Sequence, residues 1–598
     1  MAKNKYDVDE SLETPFNLAN FKRCWVYMKH SLVLLILGVF LSLGNTVLSL
    51  LGPYFLKEVV DLIEKQLAAG TKEVRGIVIV GLTYLICLGV GEVFAYFRTI
   101  VTTKAGQQIV HEIRVDIFAH IQKLSFNYFD SRPRGKILVR VVHYVNNIAD
   151  FLSNGLINFI VELSSVFIIV FFMLSLDLKL TLIVLSGLPL FLGYMFLIKK
   201  KQRQAWADFS AKNSNTTAYI SESINGMQIT QAFNREKINQ GIFENLSGLM
   251  KKSYMRASII SRSLIFVVDN LTNIMRALVY VAAIVLFAKS EYSAGVIIAM
   301  AAYAVRFWTP IQSMGDIYNQ LINTGSYLER IFDTLDEKVE IEDVPSAYEL
   351  PKVKGKVEYD NVTFAYEEGH NILENVSFTA EAGQSFALVG PTGAGKSTIV
   401  NLLCRFYDIQ GGEIRIDGHN VHDVTLKSLR TSMGIMLQDS FIFSGTIKDN
   451  IRYGKLDATD EEIMEAAKTV CAHDFIMNLE DGYDTVVNEK GSMLSQGQRQ
   501  LICFARTVLS DPAILILDEA TSSIDTETEQ LVQQGIEEMM KGRTSFVIAH
   551  RLSTIVNCDT IMYIDKKGIA ESGSHKELLE KGGLYYELYT AQIDKLGT

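Results

Sequence analysis

From Ser31 to Leu56 the chain reads SLVLLILGVFLSLGNTVLSLLGPYFL, with no charged residue. At about 1.5 Å per residue, a helix of this length crosses a hydrocarbon core of about 30 Å with some tilt. Other runs repeat the pattern. Gly76–Phe97 carries only Glu92, and between Leu156 and Ile198 the only charges are Glu162, Asp177 and Lys179. Asp177 and Lys179 share the tight turn SLDLKL, so that stretch is a helical hairpin. Ser263–Ala288 and Ala294–Met314 are parted only by KSEYS. The sum is six membrane spans. A soluble fold would need six uncapped apolar helices of that length, which patterning disfavours.

The connections alternate in length. Spans one and two are joined by about twenty residues, three and four by about three, and five and six by about five. The connections from two to three and from four to five each approach sixty residues. Lys22 and Arg23 precede span one, and Lys199, Lys200, Lys201 and Arg203 follow span four. An excess of basic residues marks the cytoplasmic side, which places the N-terminus and both long connections there. The long connections keep helical periodicity with few breakers, so each is expected to be a pair of membrane helices extended into the cytoplasm and joined at a short turn. Pro310 is expected to kink span six.

Averages conceal this division. Hydrophobic residues make up 48% of the 598 and charged residues 21%, close to an ordinary globular protein. The net charge of -10 excludes the bulk basicity of a nucleic-acid coat. Cys24, Cys87, Cys404, Cys471, Cys503 and Cys558 form no CxxC pair, which speaks against a zinc site or a disulfide framework. The first thirty residues mix acids and bases and lack a signal-peptide core.

Beyond about Gly355 short apolar strands alternate with amphipathic helices, implying an α/β domain with a largely parallel sheet. The fold class is therefore multi-domain: a six-helix all-α transmembrane domain with long cytoplasmic helical extensions, followed by an α/β domain, which the motif described next makes a phosphate-loop nucleotide-binding domain. The expected boundaries are a cytoplasmic segment over 1–30, the transmembrane domain over 31–338, a linker over 339–356 and the α/β domain over 357–598. No internal repeat is evident.

Gly390-Pro391-Thr392-Gly393-Ala394-Gly395-Lys396-Ser397 fits G-x-x-x-x-G-K-[ST] between the strand SFALV and a helix opening at Ser397-Thr398. Glycines there let backbone amides wrap phosphate oxygens at a helix N-terminus. Lys396 would reach the β- and γ-phosphates of ATP, and Ser397 would ligate Mg²⁺. The apolar run Ala513–Leu517 reads as a strand buried on both faces and ends in Asp518-Glu519. Asp518 would hold Mg²⁺ and Glu519 would orient the attacking water as general base.

With these motifs the sequence resembles the ATP-binding cassette transporter family over nearly its whole length. Leu494-Ser495-Gln496-Gly497-Gln498 is similar to the family's signature loop LSGGQ, with Gln496 at the third position. The resemblance implies that this loop caps the γ-phosphate held by the opposite subunit, two cassettes closing head to tail on two nucleotides. By the same resemblance Tyr366 stacks on adenine, Gln438 touches Mg²⁺ and water, and His550 contacts the γ-phosphate. Asp525 belongs to a loop linking the two sites. Glu489 lies where exporters usually carry Gly-Glu, with Asn488 in place of the glycine. The turns near Phe126–Asp130 and Gly226–Phe233 resemble coupling helices. The six-span layout resembles an exporter-type half-transporter of the multidrug and lipid kind, a multi-pass protein of a bacterial plasma membrane with its ATPase in the cytoplasm. Its expected partners are a second half-transporter, identical or related, membrane lipid, and a small-molecule, lipid or peptide cargo.

Arg262, Asp269 and Arg276 recur every seven residues on one face of span five, and Arg306 lies in span six. Intramembrane charge is costly and belongs in a cavity or a pair. Asp269, Arg276 and Arg306 are therefore candidate cavity residues favouring anionic or amphipathic cargo, with structural ion pairing as the other reading. The competing function is a nucleotide-gated channel or regulatory subunit, disfavoured because Glu519 and His550 are both present. The spans exclude a soluble DNA-repair or translation ATPase, and a built-in leader peptidase is not expected with only about thirty residues ahead of span one.

Overall fold

The computed structural model describes residues 18–70, 73–132, 134–287, 292–367, 369–436, 440–488, 491, 493–518, 526–548 and 552–596. The chain divides into two compact units, Met1–Gln122 with Arg134–Glu337, and Lys123–Pro133 with Lys338–Thr598. The first long connection thus contributes its turn to the second unit.

In the first unit, six helical stretches among the described residues are long and apolar enough to cross a membrane: Ala19–Ala69, Arg75–Ile121, Ile137–Leu176, Leu178–Asn225, Glu236–Val285 and Ala294–Leu335. They coincide with the six apolar runs and extend past them. The helix Arg75–Ile121 has 47 residues, about 70 Å at 1.5 Å per residue, so it is far longer than the bilayer requires. Between spans three and four Asp177 is extended, and its carboxylate accepts the Leu180 amide at 2.7 Å, starting the next helix. Tyr292, just ahead of span six, donates its hydroxyl to the same carboxylate.

Span one is not a single helix. It divides into α1 (Leu32–Leu50) and α2 (Gly52–Ala69), with Pro53 in the first turn of α2. Proline has no amide to return to the carbonyl four residues back, here that of Ser49. Span six, α3 (Ala294–Leu335), supplies donors at this joint: the Arg306 guanidinium reaches the Ser49 carbonyl at 2.6 Å, and the Tyr303 hydroxyl reaches the Leu50 carbonyl at 2.8 Å. In lipid a carbonyl without a donor is expensive, so an arginine at this depth has a structural use. Helix α3 itself runs unbroken through Pro310. The core of this unit gathers on the buried Trp308 and Tyr303, with Phe172 stacked on Tyr303 at 5.7 Å and Phe191 edge-on to Trp308 at 5.8 Å.

Among the described residues the second unit has twelve strands: β1 (Val357–Ala365), β2 (Asn371–Ala380), β3 (Ser385–Val389), β4 (Gly411–Ile416), β5 (His419–Asn420), β6 (Met433–Met436), β7 (Gly445–Thr446), β8 (Val486–Val487), β9 (Ile514–Asp518), β10 (Thr544–Ile548), β11 (Thr560–Asp565) and β12 (Gly568–Gly573). Six form a sheet in the order β12-β11-β3-β10-β9-β6, parallel except for the edge strand β12. Successive side chains point to opposite faces. Phe386, Leu388, Ile514, Ile516, Phe546 and Ile548 therefore enter one buried cluster, and Ala387, Val389, Leu515, Leu517 and Val547 enter another. Burial on both faces explains the unbroken apolar runs. An antiparallel sheet, β2-β1-β4-β5, and a small ribbon, β7-β8, complete the unit. All six cysteines are free thiols.

Candidate nucleotide-binding site

The site starts where β3 stops. Gly390 follows Val389 with φ of 138°, and a β-carbon there would lie 2.2 Å from the Ile564 carbonyl oxygen of β11. Only glycine fits that approach. The loop ends at Gly395, which N-caps α4 (Lys396–Leu403). Lys396 is buried, and its ammonium donates to the carbonyls of Gly390 at 2.7 Å and Pro391 at 2.9 Å. Burial holds its pKa below the usual lysine value, while the Asp518 carboxylate pulls in the other direction. The loop amides, the helix terminus and this cation together favour a polyphosphate.

Strand register brings the remaining groups to the same edge. Leu388 of β3 pairs with Ile548 of β10, Ile548 with Asp518 of β9, and Leu517 of β9 with Met436 of β6. The carboxyl ends of β3, β6, β9 and β10 are therefore aligned, the place where parallel α/β sheets bind ligands. Asp518 closes β9. Glu519, Gln438 and His550 are one, two and two residues beyond β9, β6 and β10; they lie outside the described residues, as do Glu489 and Asp525. Ser397 and Asp518 offer hydroxyl and carboxylate oxygens, a hard donor set that fits Mg²⁺.

Tyr366 follows β1 and is 43% exposed. Its hydroxyl shares a hydrogen bond with Thr398 of α4 at 3.2 Å, and its ring stands edge-on to Phe364 and Tyr407 at 4.8 and 5.0 Å. An aromatic face beside the phosphate loop is available for stacking.

Ser495 N-caps α5 (Gln496–Leu509) in a capping box: its hydroxyl accepts the Gln498 amide at 3.2 Å, and the Gln498 side chain accepts the Ser495 amide at 2.9 Å. Ser495 and Gln496 remain exposed, whereas Gly497 is buried.

The short helix Phe126–Asp130 packs within this unit. Phe126 meets Phe406 at 4.7 Å, Ser125 donates to Glu340 at 2.7 Å, and Tyr407 donates to Asp130 at 2.7 Å. Sequence reasoning singled out this turn but not Phe406, Tyr407 or Glu340. Nothing in their local pattern marks them, because the pairing spans 277 residues. The second turn, Met227–Ala232, belongs to the first unit; Ile229 and Phe233 there are exposed.

In the membrane unit Arg262, Asp269 and Arg276 are exposed on one face of their helix. Arg276 donates to Asn273 at 2.9 Å, and among the described residues no ion pair joins these three or Arg306. Arg306 is the exception in the candidate set, being tied to the Ser49 carbonyl.

Residues 35–311 match the family described as ABC transporter transmembrane region, and residues 373–522 match ABC transporter. The uncharacterized ABC transporter ATP-binding protein YknV of Bacillus subtilis (strain 168) is 38% identical over 588 residues, spanning 98% of this chain and 97% of that protein. The ATP-dependent lipid A-core flippase of Syntrophus aciditrophicus (strain SB) is 36% identical over 511 residues, 84% of each chain. A solved bacterial Atm1-family ABC exporter with ATP bound superposes with a TM-score of 0.75 at 30% identity, covering 96% of this chain and 99% of that one.

Proposed function

This chain belongs to the ATP-binding cassette transporter family, and from that membership we propose how its residues divide the work of an exporter. It is a multi-pass membrane protein that hydrolyses ATP to drive export. The observation that carries the site assignment is the shared carboxyl edge of β3, β6, β9 and β10.

At that edge the backbone amides between Gly390 and Thr398, Pro391 apart, and the Lys396 ammonium hold the phosphates, and Tyr366 stacks on the base. Ser397, Asp518 and Gln438 hold Mg²⁺, which when bound neutralises phosphate charge. Glu519 orients the attacking water and takes its proton, and His550 contacts the γ-phosphate. Ser495, Gln496, Gly497 and Gln498 act on the nucleotide of a second half-transporter, while Glu489 and Asp525 link the two sites. A chain with a complete phosphate loop, glutamate and signature makes two competent sites as a homodimer; a related partner chain would make a heterodimer. Native mass spectrometry of the chain expressed alone separates these, a dimer mass supporting the homodimer. The proposed membrane is the bacterial inner membrane, a reading supported by the bacterial relatives, and the basic residues on the long-connection side support a cytoplasmic ATPase.

Ser495→Asp separates capping from chemistry. Aspartate is a good N-cap, so α5 keeps its start and the melting temperature stays within a few degrees. A carboxylate facing the partner's γ-phosphate repels it, and ATPase activity falls at least about tenfold. Activity near wild type in that variant removes the signature role.

The cargo is an amphipathic small molecule, lipid or peptide. Asp269 and Arg276 face the cargo path in this proposal, Arg276 favouring anionic groups; Arg306, which holds the Ser49 carbonyl, joins them only through the donors that bond leaves over. Screening ATPase stimulation in lipid vesicles identifies the cargo class. Arg276→Ala then lowers stimulation by anionic cargo about five- to tenfold, consistent with loss of one charge-assisted contact. Unchanged stimulation in both Arg276→Ala and Arg306→Ala, for every cargo found, overturns the cavity assignment.

A further inference from the structure

We propose that Gln410 is a positioning residue for nucleotide binding: its side-chain amide closes the end of β1 as an extra rung of the sheet and so fixes the root of the Tyr366 ring. The inference rests on the proposed stacking role of Tyr366 and names what holds that ring ready.

Strand β1 lies between β2 and β4. Its pairing with β4 runs from Val357 opposite Ile416 to Thr363 opposite Gly411, the first residue of β4, and stops there. The start of β4 is itself fixed. Gly412 has φ of 82°, and a β-carbon there would lie 2.4 Å from the carbonyl oxygens of Asp360 and Asn361, so only glycine lets the strands come this close. Gln410 stands two residues ahead of that contact, and its backbone amide donates to the Thr363 carbonyl at 3.1 Å.

Backbone pairing with β4 ends here, yet β1 continues to Ala365. The Gln410 side chain takes over. Its Oε1 accepts the Ala365 amide at 2.8 Å, and its Nε2 donates to the Ala365 carbonyl at 2.9 Å. A primary amide presents the donor and acceptor of a peptide group, so this side chain stands in for the missing strand partner. Only one orientation of the amide makes both bonds; reversed, donor would face donor. From the other side Ala365 pairs with Asn371 of β2. Ala365 is therefore held on both sides, and Tyr366 is the next residue.

The far end of the ring is held too. The Tyr366 hydroxyl shares its hydrogen bond with Thr398, and Phe364 and Tyr407 stand edge-on to the ring at 4.8 and 5.0 Å. With root and tip both fixed, the ring is ordered before a nucleotide arrives, and binding does not have to order it. A base on this ring is remote from the γ-phosphate, so its stacking contributes equally to ground state and transition state. Loss of the clamp therefore raises KM and leaves kcat.

The test uses Gln410→Met, which keeps the length of the side chain and removes both bonds. Equilibrium binding of ATP and of inorganic tripolyphosphate is measured on the full chain in lipid nanodiscs with EDTA present to stop turnover, and KM and kcat for ATP are measured with Mg²⁺. ATP affinity is expected to fall at least about threefold and KM to rise in step, while tripolyphosphate affinity and kcat stay within about twofold of wild type. In a Tyr366→Ala background the same substitution changes ATP affinity by less than about twofold, because the ring through which it acts is gone. Gln410→Glu keeps the acceptor but sets a carboxylate oxygen against the Ala365 carbonyl; it is expected to give the same results and serves should Gln410→Met fold poorly. A smaller loss of ATP affinity in both variants overturns the clamp, as does an equal loss of tripolyphosphate affinity or an undiminished effect in the Tyr366→Ala background. Tyr366→Ala alone tests the stacking reading, with ATP affinity expected to fall at least about fivefold. Affinity within about twofold of wild type in that variant overturns the stacking reading and the clamp with it, whereas a weakened Tyr366→Ala beside an unaffected Gln410→Met overturns the clamp alone.

Discussion

Glu519→Gln is expected to bind ATP like the wild-type chain, lose turnover by about a hundred- to ten-thousandfold, and accumulate as a closed dimer with ATP trapped inside. The amide keeps the volume and hydrogen-bonding reach of the carboxylate but cannot take a proton from water, and general bases contribute rate factors of this size. Its neighbour Asp518 is fixed by pairing with Ile548, so the substitution changes chemistry beside a position the sheet already sets. Steady-state phosphate release and nucleotide retained after gel filtration measure the two effects. Hydrolysis at the wild-type rate in this variant would remove Glu519 from the mechanism.

Gly390→Ala is expected to damage both stability and nucleotide binding. The new β-carbon would lie 2.2 Å from the Ile564 carbonyl oxygen, a backbone atom inside the sheet that cannot step aside. A side chain at φ of 138° adds strain of about 1–3 kcal/mol, and forced overpacking costs about as much again. The sum, about 2–6 kcal/mol, is a large part of the stability of a typical domain. Relief requires the loop to move off β11, which takes its amides away from the phosphates. Binding of a fluorescent ATP analogue should weaken at least a hundredfold, about 2.7 kcal/mol, with a lower melting temperature. Gly393→Ala is the control: it too has positive φ, but none of the described residues lies within 4 Å of its β-carbon, so a smaller loss is expected. Equal effects in the two variants would show that the close approach to Ile564 is not what demands glycine.

The membrane spans were legible because the absence of charge over twenty residues is a local signal, and Asp177 marked its own turn by being both charged and a helix cap. The phosphate loop was legible for the same reason: strand, glycines and helix are contiguous. What stayed hidden depends on residues distant in the chain. Ser31–Leu56 reads as one apolar span, yet the break at Pro53 is sustained by Tyr303 and Arg306, some 250 positions away. That contact gives Arg306 a backbone partner that charge patterning could not supply. At the N-terminus, the helix Leu18–Met28 holds to α3 through Arg23, which bonds Asp336 at 2.6 and 2.7 Å and lies 4.0 Å over the Phe332 ring. Neither pairing leaves a trace in local periodicity. Asp130 is the same kind of case, a turn residue whose partner Tyr407 follows the phosphate-loop helix.

The central claim is that ATP hydrolysis, and not nucleotide binding alone, drives transport. Inside-out vesicles carrying the chain allow it to be measured by following accumulation of fluorescent phospholipid analogues, amphipathic dyes and labelled peptides. At least one of these is expected to accumulate against its gradient with Mg·ATP, and accumulation disappears with a non-hydrolysable ATP analogue and in Glu519→Gln. Nucleotide-dependent ion flux that persists under both of those conditions, with no uphill accumulation of any cargo, would contradict it and identify a gated channel instead.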